Sequence, residues 1–199
     1  MQRPDNISHI ESAKPDYFGF IFYPKSKRVV NDQTLSYLRK KKRETKRVGV
    51  FVNHDIEDIK SAIIDYGLDA VQLHGDESPS ITLAIKTIGI TVIKAFQINA
   101  QFDWVRLEEY YDSADYFLFD TATPGYGGSG KKFNWTLLEE YALNKPFFLS
   151  GGISPDDSQV ISELNLPHLY AIDLNSQFEI EPGLKDYNTI SQFINKVNG

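Results

Sequence analysis

Asp120 ends an apolar run, Tyr116 to Phe119, and a segment with Gly125, Gly127, Gly128 and Gly130 follows it. A continuous apolar run suits a parallel strand covered on both faces. A carboxylate at the C-terminal end of such a strand sits where parallel α/β sheets place their chemistry, and it can serve as a general acid or base. A helix N-cap or turn aspartate is the competing reading of Asp120. The four glycines are more than one tight turn needs and suggest a loop that closes over a ligand. Gly151-Gly152 follows a second apolar run, Pro146 to Ser150. Its main-chain N–H groups can approach an anion, and the helix signalled by Ser154-Pro155-Asp156-Asp157 would add its positive end. Asn175-Ser176 lies after the next strand, in the neighbouring loop, so the two loops together read as a phosphate cradle; a plain turn competes for the Gly-Gly pair alone. Arg28, beyond another strand end, can clamp a carboxylate bidentately, against the alternative of a solvated loop arginine. Gln72, His74 and Asp173 complete the set of polar groups at strand ends.

Seven apolar or β-branched runs must position these groups: Tyr17 to Tyr23, Arg47 to Asn53, Ala70 to Gly75, Thr91 to Ile98, the run ending at Asp120, Pro146 to Ser150, and Leu169 to Leu174. Helical patterns lie between them: Asn31 to Arg43, Asp55 to Tyr66, Glu77 to Ile88 with Pro79 restricting its start to near that point, Trp104 to Tyr111, Trp135 to Ala142, a helix beginning near Ser154, and Tyr187 to Val197. Strict alternation implies a parallel sheet with right-handed crossovers, and strand ends recur every 20–30 residues or so, as in the βα units of a barrel. Pro4 to Ser12 reads as a helix with no strand before it. The expected fold is therefore α/β, a (β/α)₈ TIM barrel in a single domain over residues 1–199 with seven strands, the first being absent.

The sequence has 199 residues, is 41% hydrophobic and carries a net charge of −6. That acidity argues against a nucleic-acid or anionic-membrane surface. The basic run from Arg39 to Arg47 reads as a solvated helix end. The absence of cysteine excludes a disulfide scaffold or thiolate metal site and fits a reducing compartment. No apolar run approaches the ~18 residues of a membrane span, and the N-terminus does not read as a secretory signal. A soluble cytoplasmic protein is expected.

Six segments then make a specific resemblance: GFIFYPKSKR (19–28), VGVFVN (48–53), VQLHGDE (71–77), FDT followed by GGSGKKFNW (119–135), LSGGI (149–153), and DLNS followed by E and PGLKD (173–186). In order and over nearly the whole chain, these resemble phosphoribosylanthranilate isomerase of tryptophan biosynthesis. The resemblance implies a (β/α)₈ barrel that converts N-(5-phosphoribosyl)anthranilate to 1-(2-carboxyphenylamino)-1-deoxyribulose 5-phosphate, an Amadori rearrangement, with no metal or organic cofactor. It puts Asp120 at the general acid, Arg28 at the anthranilate carboxylate, Gly151, Gly152, Asn175 and Ser176 at the phosphate, and Gln72 and His74 at the mouth, with Asp173 beside the substrate. The implied partner is a small phosphosugar-anthranilate, and the implied state a monomer or homodimer.

The family pattern also carries a cysteine general base at the end of a first strand, in a Lys-Val-Cys-Gly type segment that this sequence lacks. The chain is accordingly expected to be an N-terminally shortened member. His74 taking the base role is one rival reading, since imidazole titrates near neutral pH. A catalytically dead phosphate-ligand binder is another. A sister barrel, an indoleglycerol-phosphate synthase or a ribulose-phosphate epimerase, would be expected to show catalytic lysines at strand ends or a His/Asp metal set. Lys94 is the only lysine inside an expected strand, and His9, His54, His74 and His168 form no ligand pattern.

Overall fold

The computed structural model describes residues 1–40, 45–122 and 132–198. The glycine-rich run at Gly125, Gly127, Gly128 and Gly130 and the expected end of the second helix at Arg43 lie outside them. Seven strands form one parallel sheet in sequence order: β1 (Tyr17–Ile21), β2 (Lys46–Phe51), β3 (Ala70–Leu73), β4 (Thr91–Ile98), β5 (Tyr116–Thr121), β6 (Phe147–Leu149) and β7 (Leu169–Ile172). Helices α1 (Pro4–Glu11), α2 (Asp32–Lys40), α3 (Ile56–Tyr66), α4 (Pro79–Lys86), α5 (Ser158–Glu163) and α6 (Tyr187–Asn198) lie before or between the strands and after the last of them.

The sheet is curled. Strands spaced as in a flat sheet would put β1 and β7 roughly 29 Å apart, yet the Tyr17 and Tyr170 hydroxyls meet at 3.1 Å. Strand parity explains two apolar layers. Val48, Ala70, Ile93, Ala95, Leu118 and Phe148 form one buried cluster on the concave side. Residues of the other parity, such as Leu73 on β3, Phe117 and Phe119 on β5 and Leu149 on β6, pack outward against the helices. Among the described residues no backbone pairing joins β1 to β7. The tyrosine pair bridges that seam instead, and beside it the Met1 amine donates to the Gly19 carbonyl of β1 at 3.4 Å. A Cβ at Gly19 would meet nothing within 4 Å.

Three departures from the expected elements have local causes. Trp104–Tyr110 and Trp135–Glu140 are 3₁₀ helices. Their apolar residues fall three apart (Trp104, Leu107, Tyr110; Trp135, Leu138, Tyr141), the spacing that stacks side chains at three residues per turn. α4 starts at Pro79 because Ser78 caps it, its hydroxyl accepting from the Ile81 amide at 3.4 Å. Glu77, expected inside that helix, is buried instead. Finally, β7 leads first into an unforeseen hairpin, β8 (Glu179–Glu181) with β9 (Leu184–Lys185), turning at Pro182-Gly183 with Gly183 at φ 88°.

Candidate functional site

The strand tips open into a cavity of about 550 Å³ that runs the length of the curled sheet, from Lys14 and Tyr17 at its N-terminal end to His74 and Asp120 at its C-terminal rim. Asp120, Arg28, Gln72, His74, Gly151, Gly152, Asp173, Asn175 and Ser176 all line it. Parity delivers most of them: Gln72 and His74 continue the inward face of Ala70, Asp120 that of Leu118, and Ser150 that of Phe148. The inward face is thus apolar at its base and polar at its rim, an arrangement suited to holding a small polar ligand.

Asp120 Oδ1 accepts from the Thr121 amide at 2.8 Å, and Oδ2 lies 3.2 Å from His74 Nε2. Both side chains are about 15% exposed, so the pair sees solvent through the mouth only. Across from them, Ser150 Oγ donates to Asp173 Oδ2 at 3.3 Å. Desolvation holds the Asp173 carboxyl above the ordinary carboxylate range; the Lys185 charge opposes this and the Asp120 charge adds to it.

The Gly151-Gly152 turn fits only glycine at its first position. Gly151 has φ 90° and Gly152 φ 67°. A Cβ at Gly151 would lie 2.6 Å from the Thr121 amide nitrogen and 2.8 Å from Asp120 Oδ1, and still closer to Thr121 Oγ1. The main chain therefore runs directly against the end of β5. The helix behind it contributes less than the sequence suggests. Ser154 donates from both its amide (2.6 Å) and its hydroxyl (2.8 Å) to Asp157 Oδ2, and Lys132 Nζ donates to Asp157 Oδ1 at 2.6 Å. Burial alone would raise the Asp157 carboxyl, but these bonds outweigh it and hold it below its ordinary value. That carboxylate answers the positive end of the six-residue helix α5, leaving the glycine backbone as the part of this loop that faces the cavity.

Arg28 lines the cavity but is not free. Its Nε donates to Glu179 at 2.8 and 3.1 Å, and its Nη2 lies 2.8 Å from Glu179 Oε2. Glu179 and Lys185 went unassigned in the sequence although both stand within the segment that carries the resemblance. The signal that would have found them is Pro-Gly flanked by Glu181 and Leu184, a hairpin mark that sets Glu179 opposite Lys185. Lys94 belongs to neither the cavity nor the mouth: it points outward from β4 and is buried against Glu77 at 2.9 Å. No group of His, Asp and Glu among the described residues is arranged to hold a metal ion.

The family model for N-(5'-phosphoribosyl)anthranilate (PRA) isomerase matches residues 1–196. The N-(5'-phosphoribosyl)anthranilate isomerase of Parabacteroides distasonis is 43% identical over 199 residues, which cover 99% of this chain and 90% of that one. The crystal structure of the Thermotoga maritima enzyme superimposes with a TM-score of 0.87 at 34% identity, covering 100% of this chain and 96% of the other. A phosphoribosylanthranilate isomerase crystallised with reduced 1-(o-carboxyphenylamino)-1-deoxyribulose 5-phosphate superimposes at 0.84 with 30% identity, covering 100% and 95%.

Proposed function

The chain belongs to the N-(5'-phosphoribosyl)anthranilate isomerase family, an isomerase family of tryptophan biosynthesis, and from that premise we propose how its cavity handles the substrate. Asp120 is the general acid. As the C1–O bond of the ribose ring breaks, the anthranilate nitrogen forms a C=N bond with C1 and Asp120 protonates the departing ring oxygen. Loss of the C2 proton to a base then returns that electron pair toward nitrogen, and the resulting enolamine takes a proton at C1 to become the 2-keto product; the resemblance gives the base role to a cysteine, which this sequence lacks. Arg28 takes the anthranilate carboxylate, and the Gly151-Gly152 and Asn175-Ser176 loops take the phosphate. The convergence of all these groups on one cavity supports this reading, as does the complex of a similar enzyme with a reduced product. No helix among the described residues is long and apolar enough to cross a membrane. A cytoplasmic location is supported by the lack of cysteine, which fits a reducing compartment.

The test is to incubate the chain with N-(5-phosphoribosyl)anthranilate and follow product by chromatography, beside calorimetric titration with the reduced product. Binding with product formation is expected. Binding with no product would make the chain an inert binder, the reading that a cysteine-free sequence favours next. No binding at all would overturn the assignment.

The 3.2 Å contact from His74 Nε2 to Asp120 Oδ2 favours His74 as the partner of the acid over a role as the C2 base. His74→Gln is therefore expected to lower kcat about tenfold or less. A loss of about 10²–10⁴, the range for removing a general base, would move His74 to the base role.

A further inference from the structure

The geometry points to Lys185 and Glu179 as a positioning pair that couples the two anion-facing arms of the cavity, Arg28 on one side and the Asn175-Ser176 loop on the other. The inference rests on the substrate reading above and concerns how the two ends of that substrate are presented with binding groups.

The contacts of Lys185 Nζ run to the site. It donates to the Leu174 carbonyl at 3.3 Å, the Asn175 carbonyl at 2.9 Å and Asn175 Oδ1 at 2.8 Å, and it lies 3.2 Å from Glu179 Oε1. Asn175 stands at φ −126°, ψ −105°, outside the common backbone basins, so its conformation needs such external ties. The ammonium thus fixes the residue that leads into Ser176. Glu179 passes the constraint onward. Its side chain is 3% exposed, and besides Lys185 it accepts from the Gly183 amide at 3.2 Å and from Arg28. The Arg28 bonds occupy Nε–H and one N–H of Nη2. The end-on edge formed by Nη1 and Nη2 keeps its donors, and that edge matches a carboxylate bidentately. Glu179 therefore sets the plane of the guanidinium without using the face that a substrate carboxylate needs.

The hairpin holding the pair is itself pinned. Asn6 Nδ2 donates to the Lys185 carbonyl at 2.8 Å, and the Lys185 amide donates to Asn6 Oδ1 at 2.9 Å. Desolvation lowers the Lys185 amine, with Glu179 and Asp173 opposing that shift; the group is held in place for its bonds at the expense of its hydration.

Charge alone and positioning predict opposite signs for Glu179→Gln, which makes the inference testable. Titrations with anthranilate, with inorganic phosphate and with reduced 1-(o-carboxyphenylamino)-1-deoxyribulose 5-phosphate would use the parent, Glu179→Gln and Lys185→Met, each with its thermal midpoint recorded. Were the two residues mere background charge, Lys185→Met would weaken anion binding and Glu179→Gln would tighten it. Positioning requires both to weaken binding of the reduced product, Lys185→Met by about 10–100-fold, the range for a lost hydrogen-bonded charge. Lys185→Met should weaken both anthranilate and phosphate, whereas Glu179→Gln should weaken anthranilate chiefly, because an amide turns a donor toward Arg28 or Lys185. Tightening in Glu179→Gln, or lowered midpoints with unchanged affinities, overturns the coupling. A parent that binds none of the three ligands overturns the substrate reading, and the coupling with it.

Discussion

Asp120→Asn is expected to lower kcat by about 10²–10⁴-fold, the contribution of a positioned general acid. The substitution preserves shape and the Oδ1 that accepts from the Thr121 amide, so the strand end keeps its geometry. What disappears is a proton that the carboxyl can deliver when the ring oxygen takes on charge. Affinity for the reduced product should stay within a few-fold, because Asp120 acts on the ring oxygen of the substrate and the binding arms lie elsewhere. Thermal stability should move little for the same reason. The decisive measurements are steady-state turnover of the variant and calorimetric binding of the reduced product. A variant retaining more than a tenth of the parent kcat would remove Asp120 from the acid role.

Lys94→Met is expected to cost about 3–5 kcal/mol of folding stability, the price of leaving one member of a buried ion pair alone. Lys94 and Glu77 are each 2% exposed in their side chains. The ammonium also donates to the Leu73 carbonyl at 3.1 Å and the Gly75 carbonyl at 2.7 Å. Glu77 in turn accepts from the Asn53 amide at 2.8 Å and the Gly75 amide at 3.0 Å. One pair thereby clamps the tips of β2 and β3. Methionine fills the space but leaves Glu77 without its counter-charge and the Leu73 and Gly75 carbonyls without this donor. Urea unfolding should show the loss as a lower midpoint at unchanged m. Lys60→Met supplies the contrast: its pair with Glu57 at 2.7 Å is exposed, 40% and 81%, and its loss should be within about 0.5 kcal/mol. His74 lies between the two clamped carbonyls, so the Lys94 variant should also lose turnover in proportion greater than its unfolded fraction.

These two residues show what the sequence makes legible and what it hides. Asp120 is readable because its strand is apolar up to the tip, and a lone carboxylate there stands out against Tyr116 to Phe119. Lys94 sits inside an equally apolar strand, and only the parity of its neighbours Ile93 and Ala95, which face the concave side, reveals that it points the other way. Glu77 could not be paired with it in advance: Pro79 marks where the helix begins, but nothing in the sequence shows that the carboxylate just ahead of it turns inward to Lys94. The seven strands and their order follow from runs bounded by turn residues. The 3₁₀ segments do not, because over six or seven residues a spacing of three suits either helix. The binding arms were visible as types, with Arg28 and Asn175-Ser176 at strand ends, while the hairpin that braces them depends on a contact between residues 151 positions apart in the chain.

The seam between β1 and β7 gives the barrel wall one soft line. Elsewhere around the ring, neighbouring strands separate only by breaking a ladder of main-chain bonds, but here the two strands themselves share only a tyrosine pair, and the remaining ties run through the segments that flank them, Arg28 to Glu179 and Asn6 to Lys185. Breathing should therefore be anisotropic: the slit widens first, at low opening free energy, while β3 to β5 stay shut until the whole sheet lets go. The acid at the tip of β5 rides on the stiff arc of the wall, whereas Arg28, beyond β1, and Asn175, beyond β7, flank the compliant one, so a ligand gripping both would add a second rivet beside the Glu179–Lys185 bridge.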